Sequence, residues 1–217
     1  MAKVLRFYLK VLLRAARDKH FRAHAFTELW LVLRQYLPGR LVTRRRDYVF
    51  CRYLSSPLEN PKGRWLPPVG LGYRLAAYGI LFDEQGRVLM GCDQKMDFGW
   101  NLPGGGVNKD ETLEQGLIRE FEEETGLVVK SVQAVANEDN YCIMPTGRAI
   151  HGVLHYYLVE VVGGELLAEG NGFDTSRVDF VDLDAITPSE VVDYKVARPI
   201  IEKARLLQRS INFIKTS

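Results

Sequence analysis

Cysteine is scarce in this sequence. The 217 residues contain three cysteines, Cys51, Cys92 and Cys142, and no two of them form a CxxC pair. An odd number of widely spaced cysteines argues against a disulfide framework. We therefore expect a reducing compartment, and the cytoplasm is the simplest one.

Long uncharged apolar runs are also absent. Residues 4–13, VLRFYLKVLL, are apolar, but Arg6 and Lys10 interrupt them and no small-residue cleavage site follows. This pattern does not fit a secretory signal. No run approaches the ~18 uncharged apolar residues of a membrane-spanning helix, so we expect no such helix.

The charges are nearly balanced over the whole chain but not along it. The chain is 47% hydrophobic and 26% charged, which is typical of a globular protein with a sizeable core. Residues 1–65 carry 15 Lys and Arg against 4 Asp and Glu, a net +11, whereas residues 66–217 carry 14 against 23, a net −9. Because a loop rich in proline and glycine ends near residue 67, we predict a basic helical segment at 1–66 and a second domain at 67–217.

The basic segment is predicted to contain two helices, at residues 3–17 and at about 25–37. The first is apolar around almost all of its circumference apart from a narrow Lys and Arg stripe, so it must bury most of its surface. It can do so in a subunit interface or against its own second domain, on an anionic membrane surface, or on nucleic acid. The opposite charges of the two parts favour the first of these, so we expect a homo-oligomer, such as a dimer, formed through these helices.

The rest of the chain is predicted to alternate strands and turns. Residues 74–82 and 87–92 flank the turn DEQG and predict a hairpin. The last helix is predicted at about 198–214, with Pro199 in its first turn, where a missing N–H does no harm. Further strands are predicted at 48–53, 128–136, 149–162 and 178–181.

An acidic helix is predicted directly behind three glycines. Residues 104–127, GGGVNKDETLEQGLIREFEEETGL, contain seven acidic side chains. We expect the helix to begin near residues 108–110 and to end at Gly126. At 100° per residue, Glu120, Glu123 and Glu124 share roughly 100° of arc, with Leu117 and Phe121 on the adjoining face ready to pack on a sheet.

Two interpretations of the three glutamates are open from their spacing alone. One is a solvated acidic face, because like charges at this spacing cost only a few tenths of a kcal/mol per pair. The other is a site for a hard cation, since carboxylate oxygens suit Mg²⁺ or Mn²⁺, and Mg²⁺ often binds carboxylates together with substrate phosphates.

The wider pattern resembles the signature of a known family. From Gly105, five residues lead to Glu111, seven more to Arg119-Glu120, and the pattern closes with Glu123-Glu124 and Gly126. This segment resembles the Nudix box of the Nudix hydrolases at every position from 105 to 127. Residues 100–105, 78–90 and 178–186 are also similar to the surroundings of that box, and the resemblance covers about residues 72–190.

The resemblance implies a fold and an activity. The expected fold class is α/β (α+β), a Nudix α/β/α sandwich with a mixed sheet, preceded by the basic helical segment. The expected activity is the Mg²⁺-dependent hydrolysis of a phosphoanhydride bond in a nucleoside diphosphate linked to another moiety, with Mn²⁺ as an alternative ion. The alternatives are a non-catalytic Nudix module that binds a nucleotide as a sensor, and an RNA 5′-pyrophosphohydrolase, which the basic segment suggests.

The resemblance also implies roles for residues of the box. Glu120, Glu123 and Glu124 are the expected metal ligands, with the carbonyl of Gly105 as a further one. Arg119 is expected to orient a neighbouring carboxylate and Glu111 to support the loop, although both could form a salt bridge that serves packing alone. The general base stays open, and its candidates are Glu120, Glu165, Glu169 and Asp174.

Four residues outside the carboxylate group are candidates for binding the substrate. The glycines at 104–106 let the backbone approach a phosphate closely, which makes Gly104 a candidate. Lys95 and Arg74 could contact phosphates or could be ordinary surface residues. Trp100 could stack on a base or face the core, and core is the more common place for such a residue.

Overall fold

The computed structural model describes residues 48–53, 61–68, 70–93, 99–144, 146–173 and 175–216. The chain divides into two compact units, Met1–Phe50 with Trp65–Leu71 and Cys51–Arg64 with Gly72–Ser217. The helices predicted at 3–17 and 25–37 lie outside the described residues. They stay predictions, as does the domain boundary near residue 66.

The described residues form nine strands and two α-helices, with a single 3₁₀ turn at Pro188–Glu190. The helices are α1 (Leu113–Thr125) and α2 (Tyr194–Thr216). The strands are β1 (Val49–Tyr53), β2 (Gly63–Leu66), β3 (Gly72–Ile80), β4 (Val88–Asp93), β5 (Trp100–Asn101), β6 (Gly104–Gly106), β7 (Leu127–Ile143), β8 (Ala149–Gly164) and β9 (Thr175–Val181).

The strands form two sheets. The larger sheet has six strands in the order β2-β1-β7-β8-β3-β6, and the smaller has three in the order β5-β4-β9. In the larger sheet β3 is parallel to β8 and β1 is parallel to β7, whereas β7 with β8 and β3 with β6 are antiparallel. The sheet is therefore mixed, as predicted.

Alternating side chains along the strands build a core on each face. Leu89 on β4 and Val159 on β8 join Leu117 and Phe121 of α1 in one buried cluster. Their chain neighbours Met90 and Leu158 join a second cluster with Ile201 of α2. Because successive strand residues point to opposite faces, the two helices cover opposite faces, and the predicted α/β/α sandwich is confirmed.

The predicted hairpin at 74–92 is correct at its turn and in the pairs next to it, where Asp83 N–H donates to Arg87 O (3.0 Å) and Leu89 N–H to Leu81 O (2.9 Å). It is wrong in the pairing farther from the turn. Asp83 accepts hydrogen bonds from the N–H groups of Gln85 (3.0 Å) and Arg87 (2.8 Å), and Gly86 takes a left-handed φ of 79°. Beyond a bridge between Phe82 and Val88, the strands separate into different sheets. The reason is tertiary, since β3 finds partners in β6 and β8, while β4 pairs with β9.

Both helices begin at residues other than those predicted. The N-cap of α1 is Thr112, whose hydroxyl accepts from Gln115 N–H at 3.2 Å while the Gln115 side chain accepts from Thr112 N–H at 2.9 Å. This reciprocal capping box outcompetes the start predicted at 108–110. The predicted end at Gly126 is confirmed by its left-handed φ of 75°.

The C-terminal helix α2 begins one turn earlier than predicted. The carbonyl of Asp193 accepts hydrogen bonds from the N–H groups of Val196 (2.7 Å) and Ala197 (3.0 Å), which starts the helix before Pro199. The proline therefore lies in the second turn and not in the first. Among the described residues, no helix is long and apolar enough to cross a membrane.

The predicted strands are present, but two of them were predicted too short: β9 begins at Thr175 and not at residue 178, and β7 is longer at its end. Strand β7 continues beyond residue 136 through the polar stretch NEDNYCI to Ile143. The composition of that stretch does not predict a strand, because Asn and Asp are uncommon in strands. Continuous pairing with β8, down to Ile143 opposite Ala149, imposes it.

Candidate active site

Three glutamates of α1 line one cleft. Glu120, Glu123 and Glu124 surround a cavity of about 310 Å³ together with Asn171 and Phe173 from the loop between β8 and β9. The helical spacing thus directs the three side chains into one cleft, on the side of α1 next to its buried face. What the spacing does not reveal is the loop that forms the opposite wall.

The buried face of α1 fixes where these carboxylates lie. Leu117 and Phe121 are fully buried. The Phe121 ring packs over Gly79 of β3, where an added Cβ would lie 2.6 Å from the ring carbons. The absence of a side chain at Gly79 therefore lets α1 approach the sheet closely, and Glu120 and Glu124, one residue before and three after Phe121, follow it.

The glycine strand β6 brings backbone directly against the carboxylates. Gly104 N–H donates to Glu124 Oε2 at 2.9 Å. A Cβ on Gly105 would lie 2.6 Å from Glu120 Oε2, and one on Gly104, whose φ is 138°, would lie 2.2 Å from the Ala77 carbonyl oxygen. Gly104 therefore excludes any side chain, whereas a Cβ on Gly105 would displace the Glu120 carboxylate.

The pairing of β6 with β3 determines which backbone groups face the cleft. Gly105 lies opposite Ala77, between the hydrogen bonds Gly79 N–H to Pro103 O (2.8 Å) and Val107 N–H to Leu75 O (3.0 Å). The alternation of an antiparallel ladder directs the groups of Gly105 towards β3. This pairing lends no support to the Gly105 carbonyl as a metal ligand, and that role stays a prediction.

Arg119 connects most of the charged groups of the site. Its guanidinium donates to Glu111 at 2.6 and 2.9 Å, to Glu120 at 2.9 Å and to Glu123 at 3.2 Å. It also donates to the carbonyl of Gly106 at 2.9 Å. One cation thus offsets the repulsion among three carboxylates and ties α1 to the glycine strand.

Glu111 is held in its ionised form. The hydrogen bonds from Arg119, followed by that from Asn108 N–H at 2.9 Å, lower the pKa of Glu111 to about 2. The same contact with Glu111 raises the pKa of Arg119 further above its usual range. The pair therefore stays charged at every pH at which the protein would be assayed.

Of the predicted substrate-binding residues, Arg74 lies beside the glycine strand. Its guanidinium packs against Gly106, with Nη2 2.9 Å from the position of an added Cβ. Trp100 instead packs half-buried against the core cluster of α2, with the Arg177 guanidinium 5.1 Å from its ring centre. Lys95 lies outside the described residues.

Of the candidate bases beyond the box, the two that the structure describes do not line the cleft. Glu165 and Glu169 are exposed in the loop that passes the end of α1, where Leu167 N–H donates to Thr125 O at 2.8 Å. Asp174 lies outside the described residues. Glu120 is thus the one candidate base that the structure describes in the cleft.

Sequence reasoning missed Asn171 and Phe173. Asn171 donates from Nδ2 to the backbone carbonyl of Glu123 at 3.1 Å, which ties the loop to the last turn of α1. The sequence signal for this turn was the segment Gly170-Asn171-Gly172. In the structure both of its glycines take left-handed φ values, 68° and 69°. Glycines around an asparagine indicate a tight turn, but not which helix the turn meets.

The donor set suits a hard divalent cation, although the side chains are not gathered on one point. In the parts of the chain that the structure describes, no three His, Cys, Asp or Glu side chains converge to hold a metal ion. Arg119 holds Glu120 and Glu123, and Gly104 N–H holds Glu124. Carboxylate oxygens beside a backbone without side chains are nevertheless the ligand type that Mg²⁺ prefers, so the residues fit such an ion in chemistry.

Comparison with known proteins agrees with this chemistry. The model of the NUDIX domain matches residues 72–203, more than half of the chain. An ADP-ribose pyrophosphatase of Methanocaldococcus jannaschii is 40% identical over 107 residues, which are 48% of this chain and 54% of that protein. An RNA pyrophosphohydrolase of Novosphingobium aromaticivorans is 29% identical over 140 residues, 60% of this chain and 80% of that protein.

A further relative shares a shorter segment. The mutator protein MutT4 of Mycobacterium tuberculosis is 40% identical over 88 residues, which are 40% of this chain and 35% of that protein. The chain thus spans about a third of this relative and about half of the archaeal one. The similarity to these two proteins concerns a domain and not their full length.

Proposed function

This chain belongs to the Nudix hydrolase family, and we propose that it hydrolyses a phosphoanhydride bond in a nucleoside diphosphate linked to another moiety, with Mg²⁺. The observation that carries the proposal is the meeting of Glu120, Glu123 and Glu124 in one cleft beside the glycine strand. A solvated acidic face would need neither a cleft nor glycines against its carboxylates.

Glu120, Glu123 and Glu124 are the residues that would hold the ion. When bound, a divalent cation neutralises pyrophosphate oxygens, lowers the pKa of water and stabilises charge on the leaving phosphate. The three carboxylates supply the negative charge that attracts it. Mn²⁺ would satisfy the same oxygen ligands.

The remaining residues of the box position these carboxylates. Arg119 donates to Glu120 and Glu123, and Glu111 holds Arg119 from the other side. We assign Arg119 and Glu111 as positioning residues, whose loss misplaces the ligands. Glu120 is the candidate for accepting a proton from the attacking water, because it lies in the cleft, whereas Glu165 and Glu169 do not line it.

Replacement of Glu124 by glutamine tests the proposal. Glutamine keeps an oxygen that can accept from Gly104 N–H but removes the charge, so the fold should survive while cation binding weakens. We expect Glu124→Gln to lower kcat at least about a hundredfold on a nucleotide pyrophosphate with Mg²⁺. The matched control is Glu122→Gln, an exposed glutamate of the same helix outside the cleft, which should keep wild-type turnover.

The substrate is best sought among pyrophosphates of two kinds. The archaeal relative is named an ADP-ribose pyrophosphatase and the bacterial one an RNA pyrophosphohydrolase. The net +11 of residues 1–65 favours the RNA 5′ end as the second candidate, because basic segments attract nucleic-acid phosphates. ADP-ribose, other nucleotide sugars, dinucleoside polyphosphates, oxidised nucleoside triphosphates and triphosphorylated RNA, assayed side by side with Mg²⁺, separate these candidates.

A non-catalytic nucleotide sensor is the alternative to an enzyme. Such a module would bind a nucleotide without turning it over and would have no need for three neighbouring glutamates that repel one another. Full activity of Glu124→Gln would rule out its role as a metal ligand. The absence of turnover by the wild-type protein on the whole panel, with nucleotide binding retained, would favour the sensor.

A further inference from the structure

The loop opposite the three glutamates is built around one side chain. Asn171 Oδ1 accepts from the N–H groups of Phe173 (3.0 Å) and Thr175 (3.1 Å), while its Nδ2 donates to the Glu123 carbonyl at 3.1 Å. The asparagine thus holds the loop to itself and to α1 at the same time. A loop tied in this way presents its side chains at defined positions.

Backbone packing restrains the same loop further. Gly170 has a φ of 68°, and a Cβ there would lie 2.1 Å from the Thr175 carbonyl oxygen. The loop therefore closes on the first residue of β9 without room for a side chain. Phe173 lies between Gly170 and Thr175, so its backbone is held in a defined position relative to Glu123.

Phe173 exposes its ring at the edge of the carboxylate cleft. The side chain is 72% exposed and lines the cleft with the three glutamates. A single exposed apolar residue is ordinary on a protein surface. What distinguishes Phe173 is a hydrogen-bonded loop that holds it at the edge of the cleft beside the three glutamates.

We propose that Phe173 is a substrate-contacting residue whose ring stacks on the nucleobase of the nucleotide bound through its phosphates at the three glutamates. This proposal rests on the proposed function. A cation held by the carboxylates binds phosphate oxygens, so the organic part of the substrate needs a different contact. Among the described residues that line the cleft, Phe173 is the one with an aromatic face.

An aromatic ring can stack on any nucleobase, because stacking depends on the flat face of the base and not on its hydrogen-bonding pattern. The proposal therefore assigns the substrate class as nucleotides with an accessible base and not as pyrophosphates in general. It also gives Asn171 a positioning role, because its hydrogen bonds hold the ring next to Glu123.

The test compares two probes that share the phosphate chemistry and differ in the nucleoside. With Mg²⁺ present, titration calorimetry measures the Kd of α,β-methylene-ADP and of methylenediphosphonate. Base stacking predicts that wild-type protein prefers α,β-methylene-ADP and that Phe173→Ala weakens its binding about tenfold to a hundredfold. Binding of methylenediphosphonate should stay within about twofold in the same variant.

Two further variants separate stacking from apolar contact and from general effects on stability. Phe173→Tyr retains the ring and should bind α,β-methylene-ADP like wild type, whereas Phe173→Leu is apolar without a ring and should resemble Phe173→Ala. Phe213→Ala removes a phenylalanine of equal exposure, 72%, from α2 and should change neither Kd.

The outcomes distinguish this proposal from the hydrolase proposal. A wild-type protein that does not prefer α,β-methylene-ADP, a Phe173→Ala variant that keeps the preference, or a Phe173→Leu variant that restores it overturns the stacking role. Failure of the hydrolase proposal appears elsewhere, as a lack of turnover by wild type on the nucleotide panel while the preference for the nucleotide probe persists.

Discussion

At the scale of single residues, Arg119 reduces the repulsion among the neighbouring carboxylates before any cation binds. Three acidic side chains accept hydrogen bonds from its guanidinium, and a fourth contact reaches the Gly106 carbonyl. Lysine at position 119 would lose some of these hydrogen bonds, because one ammonium cannot donate to several partners arranged around the plane of a guanidinium. The titration of Glu111 reports on this arrangement directly.

Removal of Arg119 should return Glu111 to ordinary acidity. The pKa of Glu111, about 2 in the native protein, should rise towards its ordinary value of 4.5 in Arg119→Gln, because its largest cause is the contact with Arg119. Carboxyl carbon NMR titration measures the change. Arg177→Gln is the matched control, since it should raise the pKa of Asp179, its own partner at 2.8 Å, and leave Glu111 near 2.

The same shift sets the pH dependence of stability. A folded-state pKa below the ordinary value stabilises the native protein fully above pH 4.5, and this stabilisation is lost as the pH falls towards 2. The difference in unfolding free energy between wild type and Arg119→Gln should therefore be largest above pH 4.5 and shrink below it. A difference that grows on acidification would contradict the assigned contact.

At the scale of elements, α1 is defined by its two ends and one face. Thr112 and Gln115 cap its start, and Gly126 ends it in a left-handed conformation. The end matters most for the cleft, because Glu123 and Glu124 lie in the last turn. A Cβ on Gly126 would also lie 2.3 Å from the Glu165 carbonyl oxygen, in the loop that leads to Phe173.

Replacement of Gly126 by alanine should therefore lower the free energy of unfolding by more than the cost of a left-handed alanine alone. A left-handed residue with a Cβ costs about 1–2 kcal/mol, and the clash with Glu165 adds to it. Gly147→Ala isolates the first effect, because Gly147 has a φ of 81° and, among the described residues other than its chain neighbours, no atom lies within 4 Å of an added Cβ.

Urea unfolding followed by circular dichroism measures both variants. We expect a loss of about 1 kcal/mol for Gly147→Ala and at least about 2 kcal/mol for Gly126→Ala. Equal losses would show that the loop yields to the added Cβ. In that event the close packing of the loop against the end of α1 would not restrain the cleft.

At the scale of the whole molecule, the site is assembled from segments far apart in the chain. The glycine strand β6, helix α1 and the loop before β9 meet because β3 pairs with β6 and α1 packs on the sheet through Phe121. Cation binding at this junction should therefore stabilise the native state as a whole. The homo-oligomer expected through residues 1–66 and the cytoplasmic location stay predictions.

Addition of Mg²⁺ to EDTA-treated protein should raise its Tm. At an Mg²⁺ concentration ten times Kd, linkage gives about 1.4 kcal/mol, or roughly 3–6 °C for a chain of this size. Differential scanning calorimetry measures the shift, with NaCl of equal ionic strength as the control. The double variant Glu120→Gln/Glu124→Gln should show no Mg²⁺-specific shift, and a shift like that of wild type would place the cation elsewhere.

Helical spacing and a local signature determined much of this site in advance. Glu120, Glu123 and Glu124 share a face in any α-helix, and Gly126 ends such a helix because glycine enters the left-handed region freely. Leu117 and Phe121 were assigned to the core from the same periodicity. These features depend on neighbours within a few turns, so the sequence predicts them without knowledge of the fold.

Other features depend on which segments meet, and only the tertiary structure decided them. The separation of β3 and β4 into two sheets depends on their distant partners β8 and β9. The strand conformation of NEDNYCI depends on its pairing with β8, and the position of Phe173 opposite Glu123 depends on a loop that follows β8. Local propensity does not encode such pairings, because long-range packing and hydrogen bonding outweigh it. The sequence by itself therefore determined the carboxylates and the chemistry they suit, whereas the tertiary structure decided what faces them across the cleft.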